Sequence, residues 1–192
     1  MFARRDVFVL SFMTLIGVMG SGVMGLLAYG GEISNYASPG FAFLSFGLSG
    51  AFIFAFFHIR GTSEAITVAV VVSTIQFGVA LGWIKPINAA IWSYGVNIPV
   101  VMLAFLFERS LAKFRNARFL FIGALYGAGF VALSFLTAWI GGVEAMPAEV
   151  FRSNFLDGVL IGSGIGIGVE GAEMLVKAFE KSNPVHIFPV RP

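Results

Sequence analysis

Six stretches of roughly twenty apolar residues run through this chain, at 7–29, 41–59, 66–84, 86–107, 119–140 and 157–179. A hydrocarbon layer about 30 Å thick needs a helix of about that length, at 1.5 Å of rise per residue. Inside such a layer every backbone N–H and C=O must be satisfied by the chain itself, so only helices and closed barrels can cross it. None of the six stretches alternates polar with apolar residues as a barrel strand does. The expected fold class is an all-α integral membrane protein, a six-transmembrane-helix bundle. Composition points the same way. Charged residues are 11% of the 192, against about 25% in soluble domains. So little charge excludes a soluble cytosolic domain, a disordered chain and a nucleic-acid binder. Membrane lipid is the expected surrounding, and no nucleic acid is expected as a partner.

The basic residues set an orientation. With six spans, Arg4, Arg5, Arg60, Arg109, Lys113, Arg115, Arg118, Lys177, Lys181 and Arg191 fall on one side, and only Lys85 and Arg152 on the other. Five or seven spans would scramble that division. Both termini are therefore expected in the cytoplasm, and a prokaryotic cytoplasmic membrane is the expected location. The first apolar run is longer than the core of a signal peptide and is expected to persist as a helix. The domain reading is a single bundle over 1–181, followed by a short proline-containing cytoplasmic tail over 182–192. The external connection before the sixth stretch holds Pro147, with Val150, Phe151 and Phe155 on one face and Glu149, Arg152 and Ser153 elsewhere. That pattern predicts a short amphipathic helix lying on the outer interface. Asp157 is then placed to N-cap the sixth helix.

The residue inventory narrows the chemistry. With no cysteine and only two histidines, His58 and His186, thiolate metal sites, disulfides and paired-histidine haem ligation are not expected. No metal-protease, phosphate-loop or nucleophile–base pattern occurs in the outward half. Ser49 lies in the run Gly47–Gly50, but the histidine nearest in sequence, His58, is on the same segment. The chain is read as a non-enzyme with no catalytic residues, no metal and no cofactor.

Glycine spacing is the clearest pattern inside the spans. Gly17, Gly20, Gly22 and Gly25 punctuate the first. Gly158, Gly162 and Gly166 form one stripe in the sixth, and Gly164 and Gly168 another. Small residues four apart let helix backbones approach closely in lipid. Gly17, Gly22, Gly162 and Gly166 are therefore assigned to helix packing. The same faces also offer contact with other transmembrane subunits through the first and sixth helices.

At mid-depth the spans are polar but uncharged. Gln76 lies in the third and Asn97 in the fourth, with Trp92, Ser93 and Tyr94 just before Asn97 and Pro99 just after it. Pro99 removes one helical hydrogen bond and predicts a kink near Gly95. A pocket formed by the third, fourth and fifth helices around Gln76, Trp92, Asn97 and Tyr126 is the candidate ligand site. Glu170 lies about 20 Å along the sixth helix from Asp157, in the inner third. It is read as a cation, proton or partner site, and Glu173 as the interfacial partner of Lys177.

In size, helix number and the small-residue stripe Gly17–Gly25, the chain resembles the substrate-binding S-components of energy-coupling-factor transporters. That resemblance implies a vitamin-like ligand held near the outer side, and docking on a transmembrane partner through the first helix. The functional expectation is a small-molecule membrane transport protein or the ligand-binding membrane subunit of a transporter. The alternative is a non-catalytic structural or scaffold subunit of a larger membrane complex, packing through its glycine-rich helices.

Overall fold

The computed structural model describes residues 4–28, 47–82, 85–106, 118–140 and 147–182. The turn-rich segment 31–40, the basic segment 108–117, the tail from 183 and the side chain of Trp92 lie outside the described residues. Among the described residues the chain is helical, with no strand. The helices are α1 (Arg4–Ala28), α2 (Ser49–Arg60), α3 (Thr62–Ala80), α4 (86–106), α5 (Arg118–Ile140) and α6 (Ala148–Ser182).

Of these, α1, α3, α5 and α6 are long and apolar enough to cross a membrane. Four of the six expected spans thus appear as helices of that length. The second and fourth stretches appear as shorter apolar helices. In the second, 41–46 lie outside the described residues. In α4, Pro86–Ala90 and Asn97–Leu106 are α-helical, and Ile91–Val96 between them is π-helical. The sequence predicted a kink there from Pro99. The structure places the wider turn immediately before Asn97.

The sixth stretch departs further from expectation. Among the described residues no separate interfacial helix precedes it, and Asp157 lies inside the helix instead of capping it. One continuous helix of 35 residues begins at Ala148, about 52 Å long. The amide of Phe151 donates to the Pro147 carbonyl at 3.1 Å. Nothing between Glu149 and Gly158 breaks the helix. The apolar face carrying Phe151 and Phe155 packs along α5 instead of turning into the interface plane, with the Phe135 and Phe151 rings 5.1 Å apart.

The core is built around α6. Its two glycine stripes face two different helices. Gly164 and Gly168 meet α1 at Gly20, Ile16 and Gly17, while Gly158, Gly162 and Gly166 meet α5 at Gly127, Gly123 and Phe119. At Gly20, Gly123, Gly127, Gly162, Gly164, Gly166 and Gly168 an added methyl would stand under 3.0 Å from a backbone atom of the neighbouring helix. The helices touch backbone to backbone, a geometry that brings Cα–H groups against carbonyl oxygens.

The α3–α4 hairpin is attached differently. α3 packs on α2 and α4, and α4 packs on α3 and α5. The link from α2 to α3 is a single residue, Gly61, at φ 92° and ψ −176°. Its N–H donates to the Phe57 carbonyl at 2.8 Å, and its own carbonyl accepts from Ala65. That backbone conformation is essentially restricted to glycine.

Ionisable side chains gather at the opposite end of α6 from Arg152. Arg5 pairs with Glu180 at 2.5 Å and Arg60 with Asp6 at 3.4 Å. Glu173 accepts from Lys177 and lies 3.5 Å from His58 Nε2. These pairs tie α1, α2 and α6 together at one end. They are partly or largely exposed, so each pair adds only modestly to stability.

Candidate functional site

Four helices send polar side chains to one place in the bundle interior. The buried stripe of α3 is Ala65, Ala69, Ser73 and Ala80, with Gln76 half-buried beside it. Every member except Gln76 is small, which gives the Gln76 amide room to reach across. Gln76 Nε2 donates to Ser49 Oγ at 3.1 Å. Gln76 Oε1 accepts from Asn97 Nδ2. On the α5 side, the Tyr126 ring is fully buried with its hydroxyl beside Ser49. Gly50 makes that possible: a methyl there would stand 2.9 Å from Tyr126 Cε1. Phe54 closes the other side of the ring, edge-on at 5.5 Å. The result is an uncharged chain of hydroxyls and amides through α5, α2, α3 and α4.

The chain is not closed at its α4 end. Asn97 is 2% exposed, and its Oδ1 has no hydrogen-bond partner among the described residues. The hydroxyls of Ser93, four residues earlier, and of Ser73, three residues before Gln76, are also buried and without a partner there. Two other buried serines bond within their own helices: Ser21 donates to Val18 O at 2.9 Å and Ser163 to Val159 O at 2.7 Å. Leaving a buried polar atom unsatisfied costs about 1–3 kcal/mol. Three such atoms lie on two packed helices, α3 and α4. At the edge of the same interface Tyr94 donates to Thr74 Oγ1 at 3.1 Å, and its ring packs on Phe77.

Of the residues predicted for the ligand site, Gln76, Asn97 and Tyr126 thus converge. They do so through Ser49 of α2, a helix the sequence reading left out of the site. Ser49, Ser73 and Ser93 were the residues not assigned to it. Their signal was spacing: Ser73 and Ser93 stand one turn from Gln76 and Asn97. Glu170 lies elsewhere, half-buried on α6 one turn before Glu173, and makes no salt bridge among the described residues. Gly17, Gly162 and Gly166 face other helices of the same chain: Gly17 meets Ala51 and Val169, and Gly162 and Gly166 meet α5. Gly22 is partly buried in α1. The faces at Gly17, Gly162 and Gly166 are thus filled by neighbouring helices of the same chain.

Among the described residues, no three His, Cys, Asp or Glu side chains lie close enough together to hold a metal ion. No protein-family model matches the chain, and comparison with curated proteins and with solved structures gives no match. What the fold defines is a class: an all-helical protein whose apolar helices are compatible with a membrane location.

Proposed function

We propose that this chain is a six-helix integral membrane protein, with both termini in the cytoplasm of a prokaryotic cell, that binds or carries a small polar molecule. In this reading it is a transport protein, or the ligand-binding membrane subunit of one, and not an enzyme. The observation that carries the proposal is the open end of the polar chain at Asn97. In an apolar bundle, amides and hydroxyls that serve only to join helices finish as closed pairs. Here the Asn97 carboxamide oxygen and the Ser93 hydroxyl, at a π-turn, and the Ser73 hydroxyl on α3 are buried without a hydrogen-bond partner among the described residues. Such turns recur at functional sites, where they displace side chains from the regular helical register.

The alternative is a scaffold subunit docking through glycine-rich helices; less favourable to it is that Gly17, Gly162 and Gly166 pack against helices of the same chain. The likeness to transporter S-components likewise rests on size and helix plan, since the α1 stripe it would use for docking packs on α6. Partner subunits would meet the lipid-facing sides of α1 and α6 instead.

The test is native mass spectrometry of the protein released gently from its own membrane. The wild type is expected to carry a small molecule, and Asn97→Ala, folded by circular dichroism, to lose it. A wild-type protein with no bound small molecule, recovered instead in a stable assembly with other subunits, would favour the scaffold reading.

A further inference from the structure

The unmatched atoms also restrict what the occupant can be, and this step rests on the solute-binding reading above. In the antiparallel α3–α4 hairpin, Gln76 and Asn97 are bonded across the interface. Ser93 precedes Asn97 by about 6 Å of helical rise, and Ser73 precedes Gln76 by about 5 Å. The interface therefore carries three buried polar atoms, Asn97 Oδ1 and the Ser93 and Ser73 hydroxyls, with no hydrogen-bond partner among the described residues, on the two helices that the amide pair joins.

Asn97 Nδ2 donates one of its hydrogens to Gln76, and the atom without a partner among the described residues is Oδ1, an acceptor. The group it faces must donate a hydrogen bond or be a cation. Charge separates these options. α2, α4 and α5 contain no Asp or Glu, and α3 contains only Glu64, in its first turn. Glu64 lies twelve residues from Gln76, about 18 Å along the helix. A cation at Asn97 would sit in low dielectric without a counter-charge, an arrangement with a large desolvation cost. We infer that the α3–α4 interface binds a small uncharged hydrogen-bond donor, of the chemistry of a primary amide or a short polyol, with Asn97 Oδ1 as its acceptor and the Ser93 and Ser73 hydroxyls as further partners.

The experiment is saturation-transfer difference NMR on the full chain in nanodiscs. Acetamide and glycerol serve as uncharged probes, and ethylammonium as a charged probe of similar size. Acetamide or glycerol is expected to receive saturation from the protein, with the signal falling at least threefold in Asn97→Leu and partially in Ser93→Ala. Ser93→Ala removes one oxygen without adding bulk, so it keeps the test sound should Asn97→Leu fold poorly. An ethylammonium signal that depends on Asn97, with none from the uncharged probes, would overturn the uncharged class. Uncharged-probe signals that neither substitution changes would place binding elsewhere and overturn the inference. Silence from all three probes overturns it too. In that case an endogenous molecule still found by mass spectrometry on the wild type, and lost in Asn97→Ala, would leave the broader solute-binding reading standing.

Discussion

At the scale of single residues, glycines on one helix differ sharply in what surrounds them. A methyl on Gly164 would run into the Gly20 backbone, whereas one on Gly171 would meet nothing within 4 Å. Both lie in α6, and both changes to alanine replace one hydrogen by the same methyl group. Gly164→Ala is expected to destabilise the bundle by about 1–3 kcal/mol, the usual range for overpacking. Gly171→Ala should be neutral or stabilising by up to about 1 kcal/mol, from helix propensity alone. Denaturant-dependent unfolding in detergent measures both, and equal effects would show that the stripe does not set the packing. Ser49 is the other instructive residue. Read from the sequence it is one of several mid-depth serines. Its place between Gln76 and Tyr126 depends on which face of α2 meets α3 and α5, and no local pattern contains that.

At the scale of elements, two modes of attachment coexist. α1, α5 and α6 are joined backbone to backbone, while the α3–α4 hairpin is held by side chains and the polar chain. Hydrogen exchange in nanodiscs is expected to be faster for backbone amides of 62–80 and 97–106 than for 158–172, since local opening follows packing. Equal protection would argue against a separately moving hairpin. The hairpin turns on Gly61, where nothing lies within 4 Å of an added methyl but φ is positive. Gly61→Ala should therefore cost about 1–3 kcal/mol through backbone conformation alone, visible as a lowered unfolding midpoint.

At the scale of the whole molecule, charge placement and ion pairing agree. Arg5, Arg60 and Lys177 share one end of the bundle with their acidic partners Glu180, Asp6 and Glu173, and Arg152 lies near the other end of α6. The chain contains no cysteine, so a single introduced cysteine is a unique reporter. A cysteine replacing Lys181 is expected to react with a membrane-impermeant maleimide only from the cytoplasmic side. One replacing Arg152 should react only from outside. Labelling of both from one side would overturn the six-span topology.

Several features were legible in the chain because they depend on local period and composition. The all-helical class, the apolar spans and the two separate glycine stripes of α6 follow from residues three, four or seven positions apart. Gln76 and Asn97 also stood out in the sequence, as uncharged amides within apolar stretches, and the structure bonds them to each other. Other features were decided only in three dimensions. One is the continuation of α6 through Asp157, with Phe151 packed against Phe135 of α5. The direction of the glycine faces depended on two neighbours having backbones close enough to fill them. The polar centre formed around Ser49 because four helices rotate their small faces toward one point. Short-range spacing establishes which face of a helix is small or polar, but only packing among the helices determines what that face meets.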